Sequence, residues 1–162
     1  MARIDFVTGN AQQYLPEVEA MATIPDRVEA ALSGHAGGDL NSPPAEGEWA
    51  AGRILQHMAF YAAENGHNLR LMAWQEAPQI ARWDEDETIA KHGWAKLGAT
   101  ALVDALTEQL TPSVELLKEL PDAWWGRPGI HPRRGLLSIR QFVRLHNSHY
   151  DGHIAQLNAA LG

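Results

Sequence analysis

Apolar residues recur at spacings of three and four in four stretches of the chain, the period of helices with one buried face. The first stretch, Ala11 to Leu32, carries Tyr14, Leu15, Val18, Met21, Val28 and Leu32. Pro25 within it either kinks one helix or opens a fresh one, because proline fits a first turn and not an interior. The second stretch runs from Trp49 to Trp74, with Ile54, Met58, Tyr61, Leu69 and Met72 in its stripe. Gly66 interrupts it at a cost of about 1 kcal/mol relative to alanine. The third, Ala99 to Leu120, carries Leu102, Leu106, Leu110, Leu116, Leu117 and Leu120, with Pro112 as a point where it can bend. The fourth starts at Ser138, a good helix cap, and continues to Leu161 ahead of Gly162.

The segments between are of other kinds. Gly34 to Gly47, with Gly37-Gly38 and Pro43-Pro44, cannot continue a helix. Asp84 to Lys96 opens on four acids, which suit the N-terminus of a short helix or, equally, a solvated connector. Pro121 to Gly135 holds Trp124-Trp125, Pro128 and Pro132 and reads as irregular. No segment alternates as a strand would, and no internal repeat is present. The pattern predicts a single all-α domain over residues 1–162. Its architecture is an antiparallel four-helix bundle, with a long Gly/Pro-rich loop between helices 1 and 2 and a Trp/Pro-rich connector before helix 4.

Composition narrows the function. The 162 residues are 45% hydrophobic and 20% charged, a globular balance, and the formal charge is −7. An acidic chain whose one basic cluster is Arg133-Arg134 argues against nucleic-acid binding. Met1 to Asn10 shows no apolar core after Arg3, which predicts no secretory signal, and the apolar run Met58 to Ala63 is too short to span a membrane. A cytoplasmic protein without membrane contact is expected. The chain has no cysteine, so disulfides, thiolate nucleophiles and cysteine-held zinc are excluded. Any metal must be held by imidazole, carboxylate or water, and eight histidines are available.

His149 and His153 stand four apart, on one face of the fourth helix. The stripe of that helix reads Ile139, Phe142, His146, His149, His153, Leu157, Ala160, so imidazoles occupy places where a bundle wants leucine or isoleucine. Each buried polar group without a partner costs roughly 1 to 3 kcal/mol. A shared metal ion relieves several at once; a ladder of neutral histidines bonded to side chains and water is the alternative. His57, inward on the second helix between Ile54 and Tyr61, favours the metal. Three imidazoles from two helices leave coordination positions open, the arrangement of a catalytic rather than a structural site.

Two segments then resemble the DinB-like superfamily of four-helix metalloproteins. One is Trp49-Ala-Ala-Gly-Arg-Ile-Leu-Gln-His57, after a Pro/Gly-rich loop; the other is His149-Tyr-Asp-Gly-His153-Ile-Ala-Gln156. The likeness extends in helix order and loop placement over nearly the whole chain. It implies that His57, His149 and His153 are metal ligands, that the divalent ion is zinc or nickel, and that two chains form a homodimer. It also implies kinship with thiol-dependent S-transferases and isomerases. Arg53 stands where the family commonly has an acid, and Gly152 and Ile154 stand where it often has histidine and arginine.

Five residues are candidates for supporting the ligands. His146 lies one turn before His149 and is a candidate second donor or proton shuttle; Gln156 is a candidate to orient the site or simply to touch the next helix. Glu64 and Asn65 either line the mouth or belong to a solvated face, and Tyr61 is expected in the core. Trp83, Trp94, Trp124 and Trp125 are candidates to wall an apolar pocket above the ion, or to pack connectors onto the bundle. His35, His67, His92 and His131 read as surface residues, and no carboxylate stands out as a general base.

Three functions follow. The first is a metal-dependent hydrolase or thiol-dependent transferase of a small molecule, any thiol arriving as a cosubstrate because the chain has none. The second is a non-catalytic metal or ligand-binding module, and the third a metal-free bundle that dimerises.

Overall fold

The computed structural model describes residues 11–35 and 39–162. The expectation of no signal at Met1 to Asn10, and the pair Gly37-Gly38, lie outside the described residues. Six α-helices and one small hairpin follow in order: α1 (Ala11–Ala22), α2 (Ile24–Gly34), α3 (Ala51–Trp74), α4 (Glu85–His92), α5 (Ala99–Glu119), β1 (Pro128–His131), β2 (Gly135–Ser138) and α6 (Ile139–Leu161).

The first predicted helix is two helices. Pro25 lies in the first turn of α2 and has no N–H to continue the ladder, so the chain breaks at Thr23. Thr23 bridges the break by donating from its hydroxyl to the Ala20 carbonyl, at 3.0 Å. α5, by contrast, continues through Pro112. The acidic segment is helical: Asp84 accepts from the Glu87 N–H at 2.8 Å, and Gly93, in the left-handed region at φ 71°, ends the helix. Ser138 caps α6 in a reciprocal box with Gln141. The stretch read as irregular contains the hairpin. Ile130 of β1 also bonds to the preceding connector, donating to Pro78 O and accepting from Ile80 N–H. Four-residue strands carrying proline and glycine have no alternation by which to recognise them.

The bundle has four legs: α1–α2, α3, α5 and α6. The α1–α2 leg packs on α5 and α6, and α3 packs on the same two helices, so the legs joined by the first loop stand diagonally across the bundle. Contacts between His57 and His149, and between Tyr61 and His146, show α3 and α6 running antiparallel. The core is filled by Ile54, Leu55, Met58, Leu69 and Met72 of α3, Leu102, Leu106 and Leu117 of α5, and Phe142, Val143 and Leu157 of α6. Gly66 lets α3 approach α5 closely, since a Cβ there would lie 3.0 Å from Ser113 Oγ. The interruption is a contact point. Among the described residues no helix is long and apolar enough to cross a membrane.

What positions the site is the return of the chain after α3. Asn68 accepts from the Ala81 N–H and donates to its carbonyl, at 2.8 and 3.0 Å, and Glu64 accepts from the Trp83 N–H at 2.7 Å. The connector is thereby stitched back along α3 towards its N-terminus, and α4 begins beside His57.

Candidate metal centre

His57 is held on α3, and His149 and His153 on consecutive turns of α6. Their ring nitrogens meet. His57 Nε2 lies 3.1 Å from His149 Nε2, His153 Nε2 lies 2.9 Å from the same atom, and one nitrogen from each ring falls within 4.8 Å of the others.

The far sides of two rings are anchored. His57 Nδ1 is 2.9 Å from Glu85 Oε1, and His153 Nδ1 is 2.8 Å from Gln156 Oε1. A carboxylate and an amide oxygen can only accept, so both imidazoles donate through Nδ1 and their Nε2 lone pairs face inward. Burial, followed by the charges of His153 and His57, pushes the His149 pKa down to about 4. Burial also lowers that of His153, against the hydrogen bond to Gln156. A neutral His149 brings at most one proton to its Nε2, which can serve one neighbouring lone pair and not both. A cation at the meeting point satisfies all three, and ligand nitrogens at about 2.0–2.1 Å from an ion stand about 3 Å apart, as His149 Nε2 does from the other two. The residues therefore fit a divalent ion held on one side by three imidazoles.

The surroundings differ in part from expectation. Gln156 orients His153 rather than reaching to another helix. Glu64 and Asn65 are buried, not on a solvated face, because the returning connector covers α3 there. Tyr61 is only partly core: its ring lies 4.0 Å from that of His149, and burial raises its pKa to about 12. His146 is buried, edge-on to Phe142 and Tyr61, with no hydrogen bond to the three ligands among the described residues. Burial holds it well below the usual histidine range.

None of the four connector tryptophans stands over the site. Trp125 stacks on Tyr14, Trp124 meets Trp74, Trp94 is buried against His92, and Trp83 lies on His67. Trp49 takes that place, with its ring parallel to His153 at 6.2 Å and 5.1 Å from His57. It precedes α3 rather than belonging to it, which frees it to fold over the triad. His131, read as a surface residue, is half-buried in the cleft beside the site.

Sequence reasoning missed Glu85. It lay unmarked in a run of four acids, and its partners appear only in the fold: His57, and Arg53 at 3.1 Å. Arg53 also meets Asp86 at 3.0 Å, so the residue that departs from the family pattern secures the carboxylate behind His57.

A helical bundle that gathers three imidazoles from two antiparallel helices, two of them backed by a side-chain oxygen, is built as a metal-binding bundle would be. The sequence pattern of the DinB superfamily matches residues 20–157, and the chain belongs to that superfamily. It is 22% identical over 158 residues to the Bacillus subtilis protein named "Putative metal-dependent hydrolase YfiT", spanning 90% of this chain and 84% of that one. A second relative, from Geobacillus thermodenitrificans and also named as a "Putative metal-dependent hydrolase", is 26% identical over 107 residues. That match spans 66% of this chain and 54% of the relative. The solved structure of YfiT, described as having an unusual four-helix bundle topology, superposes with a TM-score of 0.78 at 20% identity over 90% of this chain and 84% of its own.

Proposed function

We propose that this protein is a metal-dependent hydrolase of a small molecule, with zinc or nickel held by His57, His149 and His153. The observation that carries the reading is the convergence of three Nε2 atoms whose rings are oriented from behind by Glu85 and Gln156. The names of both relatives support it. A divalent ion at this point supplies Lewis acidity, polarising a scissile carbonyl and making water nucleophilic near neutral pH.

The chain's own residues supply the rest. His57 and His149 lie at one side of an open cleft of about 620 Å³ that also contains Tyr61 and Glu64. Burial raises the Glu64 pKa, against the hydrogen bond from Trp83 N–H. A carboxylate whose pKa burial raises is a stronger base than a solvated one. Glu64 accepts the proton from the attacking water and passes it to the leaving group. Glu85 keeps His57 oriented, and Trp49 covers the triad on the His153 side.

The test is turnover of a panel of small esters, thioesters and amides by zinc-loaded and nickel-loaded protein, with and without an added low-molecular-weight thiol. Hydrolysis that stops on chelation and returns with metal is expected. In Glu64→Gln, kcat should fall about 100-fold or more with the metal still bound. Turnover only with added thiol would assign a transferase instead. Turnover that survives complete metal removal contradicts the reading.

A further inference from the structure

The cleft beside the triad has a cationic rim that the metal site does not use. Arg82, Arg133 and Arg134 all line it, together with His131. They come from one small platform. The connector before α4 carries Arg82 and the turn between β1 and β2 carries the other two. These segments are joined by the Ile80–Ile130 hydrogen bond and by the bond from Ile130 to Pro78. Both parts are pinned: Asn68 holds Ala81 by its N–H and carbonyl, and His131 Nδ1 accepts from the backbone N–H groups of Arg133 and Arg134 at 3.1 and 3.2 Å.

The cleft's own acids offset these cations only in part. Glu85 is engaged by Arg53 and His57. Glu64 accepts from Trp83 and stands 4.0 Å from Arg82, at the outer limit of an ion pair. Arg133 and Arg134 have no ion pair among the described residues, and both are exposed. Three clustered guanidiniums against a chain charge of −7 make this the opposite of the general surface. Guanidinium forks match carboxylate and phosphate oxygens in shape as well as charge, and a positive cleft draws anions in from solution.

We propose that this cleft binds the anionic end of the substrate, a carboxylate or phosphate group, through Arg82, Arg133 and Arg134. The neighbouring bond is thereby set against the His57–His149 edge of the triad. The substrate role rests on the hydrolase reading above; the anion site itself does not.

The experiment titrates the full chain, metal-free and zinc-loaded, with inorganic phosphate and with malonate at low ionic strength, followed by calorimetry and NMR. Saturable binding of one anion per chain is expected in both forms, weakening as salt rises. Arg82→Gln and Arg134→Gln should each weaken it at least about tenfold. The triple variant Arg82→Gln/Arg133→Gln/Arg134→Gln should abolish it, with the melting curve and zinc content unchanged. Tighter phosphate identifies a phosphorylated substrate, and tighter malonate a carboxylate. Absence of saturable binding to the metal-free wild type, or equal binding by the triple variant, overturns the proposal. Anion binding that is lost in the triple variant, in a chain that takes up no zinc, sustains the anion site and sinks the metal reading.

Discussion

α3 faces its two neighbours with opposite chemistry. Towards α5 the contact is close and apolar: Gly66 admits Ser113 to within touching distance, and Leu102, Leu106 and Leu117 are buried on the α5 side. Towards α6, the same helix presents His57 and Tyr61 to a partner offering His149 and His153. The first seam is what stability alone would select, since each leucine removed from water contributes about 1.5–3 kcal/mol. The second is what stability alone would reject, because three neutral imidazoles in contact cannot satisfy one another's lone pairs. The difference teaches where to look for function: on the face where a good bundle former was given up and the loss was then organised by Glu85 and Gln156.

Substitutions on the two seams should separate cleanly. The largest effect is expected from His149→Ala, which removes the nitrogen common to both short contacts. Metal affinity should fall by more than about 100-fold, beyond what loss of a supporting residue does, and the rise in melting temperature on adding zinc should vanish. Retention of a full metal complement would place the ligands elsewhere. Leu106→Ala, on the apolar seam, should cost about 2–5 kcal/mol in denaturant unfolding and leave one ion per chain. If it lowered metal content as well, the two seams would not be independent.

Glu85→Gln probes the support behind the second seam, for it keeps the volume of the side chain and removes the charge that faces both His57 and Arg53. A loss of about 10–100-fold in metal affinity, with unfolding of the metal-free protein little changed, is expected from titration against a competing chelator. An unchanged affinity would show that His57 is oriented by packing alone.

A graded effect, without any substitution, is the pH dependence of the metal-free protein. His146 and His149 have folded pKa values below the ordinary 6.5, so the unfolded chain binds more protons in acid. Their contribution is fully present above about pH 6.5 and is lost as pH falls below it, each group adding at most about 1.4 kcal/mol per pH unit. Melting temperatures taken from pH 7 to pH 4.5 should decline accordingly. A flat profile over that range would mean that both rings take up protons in the fold as readily as in the unfolded chain.

Much of this contrast could be read from the chain, for reasons of distance along it. His149 and His153 share a helix whose period fixes their common face, and His57 breaks an otherwise apolar stripe. Ser138 announces the start of α6 by its own hydrogen-bonding habit. Glu85 was out of reach, because its place beside His57 depends on a connector folded back along α3 by Asn68, which carried no signal, and Glu64, which fitted a solvated face as well as the mouth. Trp49 was placed inside the helix that it actually precedes, so its role over His153 was hidden. The hairpin escaped notice because strands of four residues leave no period to detect, and Arg133-Arg134 stood out only as a lone basic pair.

All of this turns on whether the three rings share an ion. Elemental analysis of protein produced without a histidine tag, in medium supplied with zinc and nickel, measures that directly. The account predicts close to one divalent ion per chain, removed together with its stabilisation by a chelator. Less than about a tenth of an ion per chain under the same conditions would contradict it.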